Sequence, residues 1–412
     1  MTKNQNPVNS QVVRRAVLAV AEHFEQQFYD ASVAAQIGAR LRQQLADGAY
    51  DDATSPGSLA SALADDVTQL SDDRHLGVGV LPPDRIDDGQ SYVARLYDLH
   101  ARSNFGFRRV EMLPGSVGYV DVRLFCPADV AGPTAVAAMN FLARARALIF
   151  DLRKNGGGED GMERLLSGYL FGEATELCSI HHRGPRGIEQ SRSLDYVPGP
   201  RLVDVPAYVL TSRRTFSVAE GFTYNLQQRG RATVVGEQTR GGGHTIEIVP
   251  LPESGLELYI PEGEAINPIS QRGWEGVGVT PDIAVPAGRA LDVAYRHALE
   301  KLRTTLSDPD DLFSVDWVLD GVRAALEPVT IDSETLSSYV GTYGHANHVR
   351  VRDGALYVEH AGYAESPARP LAVDLFEYED GASRVRFERE NGKVHQAVCL
   401  TEEGLAFVLP RT

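Results

Sequence analysis

The run Ala147-Leu148-Ile149-Phe150 passes through Asp151-Leu152 into Arg153-Lys154-Asn155-Gly156-Gly157-Gly158. An apolar stretch this short and this unbroken reads as a strand covered on both faces. Such a strand needs helices around it, and the flanking sequence supplies them at about 134–146 and 162–170. The pattern recurs with an apolar strand at 207–211, a helix at 218–228 and a strand at 233–236. Strand–helix–strand alternation across about 110–300 predicts an α/β core with crossover connections.

Either side of this core the texture changes. Val13, Val17, Val20, Phe24 and Phe28 recur at helical spacing. Ile37, Leu41 and Leu45 mark a second helix, which Gly48 should stop. Leu59, Leu63, Val67 and Leu70 mark a third, with Ser58 as its expected cap. Residues 76–81 and 117–122 read as strands. Beyond a helix at about 313–326, short strands are separated by Asp353-Gly354, Asp380-Gly381 and Asn391-Gly392, which are hairpin-turn dipeptides. The expected division is a helical segment at 1–80, an α/β core at 81–308, a helical linker at 309–330 and an antiparallel β domain at 331–412.

Charge and composition narrow the function. With 40 basic and 56 acidic residues the net charge is −16, which argues against nucleic acid and anionic membrane as partners. Apolar runs fall far short of the ~20 residues a bilayer needs. Cys126, Cys178 and Cys399 are widely spaced with no CxxC pair, so no zinc or other metal site and no dithiol chemistry is expected. The stretch 12–28 is broken by Arg14, Arg15, Glu22 and Glu25, which is not a signal-peptide core. A reducing, cytoplasmic setting is expected.

Three turns carry candidate chemistry. At 151–158 a buried strand ends in polar residues and three glycines, which either form a flexible turn or expose amides able to hold negative charge. The spacing fits neither a P-loop nor a dinucleotide fingerprint, so no cofactor is expected. At 211–220, Thr-Ser-Arg-Arg-Thr-Phe-Ser-Val-Ala-Glu sets Ser217 at a helix start, where it serves as an N-cap or as a nucleophile beside free N–H groups. This is not the GxSxG elbow. At 274–282, Glu275 either orients a histidine or stands as a solvated turn carboxylate. Among the 11 histidines, His75 just before a strand and His244 after Gly241-Gly242-Gly243 are candidate bases, because a serine needs one. His181 and His182 are adjacent and would point apart in a strand.

Taken in order, these segments resemble the S41 family of tail-specific, or C-terminal processing, serine peptidases, in its branch with tricorn-like peptidases and interphotoreceptor retinoid-binding protein modules. The resemblance runs over roughly 10–300. It rests on Leu-Ser-Asp-Asp-Arg-His-Leu, Gly-Tyr-Val-Asp-Val, Asp-Leu-Arg-Lys-Asn-Gly-Gly-Gly, the Ser217 segment, Val-Val-Gly-Glu-Gln-Thr-Arg-Gly-Gly-Gly and Glu-Gly-Val-Gly-Val-Thr-Pro-Asp. It implies crotonase-like, ClpP-like βαβ units.

The family's nucleophile maps onto Ser217, with Glu220 as its marker. Ser/Lys members carry a lysine near the position of Gly242, and the turn 236–244 here has none; Arg240 stays protonated and is no substitute. The Ser/His/Glu branch maps its histidine onto His75 and its glutamate onto Glu275. Some tricorn-like members instead place histidine after Gly-Tyr, where this chain has Asp121. The stretch 81–110 is too short for the PDZ domain many members insert. The resemblance thus implies acyl transfer from a peptide or small acyl substrate to water. Ser217 attacks, His75 moves the proton, Glu275 orients it, and the amides of Val218 and of Gly156, Gly157 or Gly158 hold the oxyanion. Hydrolysis of a non-peptide ester or lactone, and non-catalytic binding of an apolar ligand, are the alternatives. The β tail lies outside the resemblance and leaves a homo-oligomer open.

Overall fold

The computed structural model describes residues 9–82, 85, 89–345, 347–360 and 364–412. The chain forms two compact units, one of residues 1–112 with 118–290 and one of 113–117 with 291–412.

The first unit opens with α1 (Ser10–Gln27), α2 (Ala31–Ala46) and α3 (Pro56–Thr68). The side chains of Asn9 and Asp30 accept hydrogen bonds from the first free amides of α1 and α2. Gly48, at φ +76°, lies just past α2 as expected. The cap of α3 is Ser55, not Ser58: Pro56 takes the first helical turn, and Ser58 becomes the third-position partner of a capping box. There follow β1 (Gly77–Val80), α4 (Gly89–Arg102), β2 (Phe107–Leu113), β3 (Val117–Val122), α5 (Ala128–Phe141), β4 (Ala147–Asp151) and α6 (Asp160–Gly168). Next come β5 (Glu176–His182), β6 (Ile188–Arg192), β7 (Ala207–Thr211), α7 (Val218–Gln228), β8 (Ala232–Gly236), β9 (His244–Leu251), β10 (Leu256–Ile266) and β11 (Ile283–Ala284).

These strands form two sheets. One has the order β11-β8-β7-β4-β3-β2 and is parallel across β4, β7, β8 and β11, with Phe150 opposite Val209 and Val209 opposite Val234. Every residue of β4 and β7 is buried, as their unbroken apolar sequences require. The carboxyl ends of these neighbours therefore deliver the turns 152–158 and 212–217 side by side, where open α/β sheets hold their ligands.

The other sheet is antiparallel, with order β1-β10-β5-β6 and β9 on β10. Its residues Val78, Leu256, Leu258 and Ile260 share one core with Val17, Phe24, Leu41 and Leu63 of the helices. The helices thus belong to the same unit as the α/β sheet, and the expected boundary at 80 is absent, because their apolar faces need this sheet to cover them.

In the second unit α8 (Ala290–Thr305), α9 (Pro309–Leu326) and α10 (Ser333–Ser338) precede an antiparallel meander. Its strands are β12 (Gly341–Tyr343), β13 (Asn347–Arg352), β14 (Ala355–Glu359), β15 (Ser366–Ala372), β16 (Leu375–Tyr378), β17 (Ser383–Glu390), β18 (Lys393–Thr401) and β19 (Ala406–Pro410), each paired with the next. A bridge from Tyr343 to Arg411 brings the first strand back to the last, so the sheet curls into a near-barrel. Asp353-Gly354 and Asn391-Gly392 have positive φ at both residues, the signature of the hairpin turn their sequence predicts. The expected linker 309–330 is instead part of this unit: the Trp317 ring of α9 lies 3.8 Å from the Arg384 guanidinium of β17. No helix among the described residues is long and apolar enough to cross a membrane.

Candidate active site

Ser217 is the N-cap residue of α7 and has φ 56° and ψ −130°. That left-handed backbone costs a non-glycine residue about 1–3 kcal/mol, so the surroundings must hold it. The fully buried Glu220 does so from one turn into the helix. Its carboxylate accepts from the Ser217 amide at 2.9 Å, from the Gly241 and Gly242 amides at 2.6 and 2.8 Å, and from the Thr239 hydroxyl. One buried carboxylate thereby clamps the Ser217 turn to the glycine turn after β8. Burial raises the Glu220 pKa against the pull of these hydrogen bonds.

The turn after β4 packs against the same serine. A Cβ placed on Gly157, at φ +107°, would lie 2.7 Å from the Ser217 Cβ and 3.2 Å from its Oγ. Only glycine allows this approach. Asn155, fully buried, sets it. Its Oδ1 accepts from the Gly157 amide at 2.8 Å, its Nδ2 donates to the Val122 carbonyl at 3.1 Å, and its own carbonyl accepts from the Phe216 amide at 3.2 Å. The Gly157 N–H expected as an oxyanion donor is thus already engaged with Asn155. The Val218 amide begins α7 and has no intrahelical acceptor.

His75 is brought close to this turn. Its ring lies against that of Phe216, the residue before Ser217, with centroids 4.5 Å apart and planes tilted by 32°. A Cβ on Gly242 would meet the Phe216 ring and lie 2.7 Å from His75 Cε1. The imidazole therefore fills the space into which a side chain at 242 would point. His75 Nδ1 is buried without a hydrogen-bond partner among the described residues. Burial pushes its pKa down to about 4, against an opposing pull from Asp73.

Glu275 approaches His75 but does not touch it. Asp73, His75 and Glu275 each offer one atom within 4.8 Å of the others. The nearer carboxylate is that of Asp73, whose Oδ1 lies 3.9 Å from His75 Nδ1 and accepts the His75 backbone amide at 2.8 Å. Asp73 Oδ2 also bonds His244 Nδ1 at 2.6 Å. Glu275 Oε2 takes the amides of Gly243 and His244 and sits 3.5 Å from His244 Nδ1. Burial, reinforced by Asp73, raises the Glu275 pKa. These donor types suit a zinc ion. Both Asp73 oxygens and Glu275 Oε2 are, however, already accepting hydrogen bonds.

Residues 116–285 match the model of peptidase family S41. This segment belongs to family S41. Curated proteins similar to this chain include two processing proteases. A carboxyl-terminal-processing protease of Picosynechococcus sp. is 29% identical over 199 residues, covering 45% of each chain. A carboxy-terminal-processing protease of Bartonella bacilliformis is 30% identical over 149 residues, covering 34% of this chain and 31% of its own. The chain thus matches less than half the length of these relatives. Among solved structures, a lipoprotein from Streptococcus agalactiae superposes with a TM-score of 0.51 at 15% identity, over 73% of this chain and all of that one. That likeness concerns the fold.

Around the S41 segment, sequence reasoning missed Asp73 and Asn155 and left His244 unassigned. Asp73 stands two residues before His75, and that alternate spacing was the available signal. Asn155 lay within the glycine turn with nothing to separate it from its neighbours. His181 and His182, in β5, stand apart from this cluster.

Proposed function

We propose that this chain is a serine peptidase that cleaves peptide bonds through an acyl-enzyme. The observation that carries the reading is the packing of a buried imidazole, His75, against the ring of the residue before a backbone-strained serine at a helix start. Ser217 Oγ attacks the scissile carbonyl and passes its proton to His75 Nε2, the nitrogen turned away from Asp73. The oxyanion forms against the Val218 amide and the exposed amides of Gly156 or Gly158. Collapse breaks the C–N bond, and His75 returns the proton to the leaving amine. Water then repeats the sequence on the ester. Asp73 and Glu275 are positioning residues that hold the His75 face of the site. The pKa of His75 leaves it neutral near pH 7, as a base must be. A Ser/Lys dyad is disfavoured because position 242 has no room for a side chain. A reducing, cytoplasmic setting belongs to this proposal on the three unpaired cysteines alone.

A fluorophosphonate probe and a fluorogenic peptide panel test the assignment. Ser217→Ala is expected to abolish labelling and to lower kcat/KM roughly ten-thousand-fold or more. Wild-type hydrolysis by Ser217→Ala, or labelling at another residue, would overturn it.

A further inference from the structure

Asp73 and His75, in the turn before β1, and Glu275, in the loop after β10, each bring one donor atom within 4.8 Å of the other two. The side chains of Asp73 and His75 are 2% and 7% exposed, and that of Glu275 is 20% exposed. Two carboxylates this close repel each other in a site this buried. Their ion-pair partners among the described residues are the imidazoles of His75 and His244, which carry charge only when protonated. A divalent cation would balance both carboxylates.

The unpartnered nitrogen of His75 points to a metal. His75 Nδ1 is buried, has no hydrogen-bond partner among the described residues, and lies 3.9 Å from Asp73 Oδ1. That gap is too long for a hydrogen bond. It is close to the span of two bonds to zinc, each about 2.0–2.1 Å. The carboxylates keep capacity for the ion. Asp73 Oδ1 accepts from the His75 amide and retains a second lone pair. The hydrogen bonds of Glu275 fall on Oε2, and Oε1 carries none among the described residues. Donors on a tetrahedral zinc stand about 3.4 Å apart, so Glu275, the most exposed of the three, has only about 1 Å to close. One imidazole and two carboxylates suit zinc better than magnesium or calcium, which take oxygen ligands. The donors come from two loops far apart in the chain, so neither the cysteine count nor a local spacing announces them.

We propose that Asp73, His75 and Glu275 form a zinc site that shuts the peptidase off. A neutral imidazole carries one ring proton. As a base, His75 keeps that proton on Nδ1 and offers the Nε2 lone pair to Ser217. Zinc on Nδ1 takes the lone pair of that nitrogen, so the proton sits on Nε2. The ring's proton count is unchanged, but Nε2 has become a donor and cannot receive the Ser217 proton. The inhibition, unlike the binding, rests on Ser217 and His75 being nucleophile and base.

Binding to full-length, chelator-stripped Ser217→Ala, which needs no turnover, tests the site separately from catalysis. Isothermal titration with zinc chloride is expected to show saturable binding, and cobalt(II) to give the visible absorption of a low-coordinate site. In that background Glu275→Gln should weaken zinc binding roughly ten-fold or more and remove the cobalt band, as should His75→Ala, with circular dichroism unchanged. His181→Ala removes an exposed histidine outside the cluster and should alter neither signal. In the wild type, saturating zinc should slow fluorophosphonate labelling of Ser217 roughly a hundred-fold or more, as loss of a general base does. EDTA should restore the rate, and magnesium or calcium chloride should leave it alone. No zinc binding, binding that survives Glu275→Gln and His75→Ala, or binding lost in His181→Ala would overturn the site. Zinc binding without slower labelling would overturn the inhibition. Labelling of Ser217 in zinc-free wild type decides the peptidase reading on its own, whatever zinc does.

Discussion

Asp73 Oδ1 lies 3.9 Å from His75 Nδ1, while the Glu275 carboxylate makes its closest imidazole contact, at 3.5 Å, with His244. Both carboxylates reach His244, Asp73 through its other oxygen at 2.6 Å, and the one nearer the candidate base His75 is Asp73. Asp73→Asn is expected to lower kcat/KM by roughly a hundred-fold or more, in line with loss of an orienting carboxylate. Glu275→Gln should cost less, because its Oε2 is occupied by two backbone amides. Steady-state kinetics of the two variants on one peptide checks the order, and a larger loss in Glu275→Gln would restore that residue as the principal partner of His75.

Burial sets the pH range. His75 titrates at about 4 in the folded chain and near 6.5 when exposed. Its neutral form is then the working base down to about pH 4, and the acidic limb of kcat/KM should fall there. Phe216→Ala, which uncovers the ring, should move that limb toward 6.5. The same shift enters stability. Between pH 6.5 and 4 the unfolded chain binds the proton more readily, so this contribution is intact above 6.5 and lost as pH falls. A limb that stays at 6.5 in the wild type would contradict a buried base.

Gly242 marks where a side chain cannot go. Gly242→Ala puts a methyl group against Phe216 and His75 Cε1, which should displace the imidazole. A loss of activity of roughly a hundred-fold is expected from such a misplacement, with about 1–3 kcal/mol of stability lost to overpacking. Gly242→Lys should be no more active than Gly242→Ala, and peptide hydrolysis assays of the two decide it.

Much of this site was legible in the sequence because its parts sit at strand ends. The unbroken apolar runs of β4 and β7 marked two buried strands of an α/β core, and the pairing of the two strands then brings the turns after them together. Val218–Gln228 was read to the residue because Ser217 and Glu220 form a recognisable helix start. The second sheet was less visible. β10 alternates over Leu256, Leu258 and Ile260, but Pro261 and Gly263 then interrupt the pattern where the register shifts against β9. Without that sheet, the approach of His244 to Asp73 across 171 positions could not be foreseen. The helices at 1–68 looked like a separate layer for the same reason.

A second buried carboxylate lies away from the reaction. Glu163 of α6 is buried, with Asn225 Nδ2 donating to its Oε1 at 2.8 Å and Asn267 Nδ2 donating in turn to Asn225 Oδ1 at 2.9 Å. Burial pushes its pKa up to about 8. The folded chain thus holds this proton more tightly than the unfolded chain. The stability it contributes is full below about 4.5 and is lost as pH rises to about 8, at up to about 1.4 kcal/mol per pH unit. Between pH 6.5 and 8, where His75 no longer titrates, the wild type should lose denaturation midpoint. Glu163→Gln, uncharged throughout, should lose less. Parallel slopes in urea titrations would show that Glu163 is ionised in the folded state.

Asn155 links the two walls around Ser217 without needing to touch a substrate. Its side chain spans the Gly157 amide and the Val122 carbonyl, and its own carbonyl holds the Phe216 amide. Asn155→Ala leaves the first two groups buried and unpaired, at about 1–3 kcal/mol each. Asn155→Asp keeps the acceptor for Gly157 but sets an oxygen against the Val122 carbonyl. Both variants are expected to fold with a lower melting temperature. A purely structural role would leave the serine as reactive as before in the folded fraction. A positioning role predicts more: kcat falls roughly a hundred-fold, and fluorophosphonate labelling of Ser217 slows, under conditions where circular dichroism shows the chain still folded. Labelling at the wild-type rate in folded Asn155→Ala would show that Asn155 supports the fold and not the placement of the nucleophile.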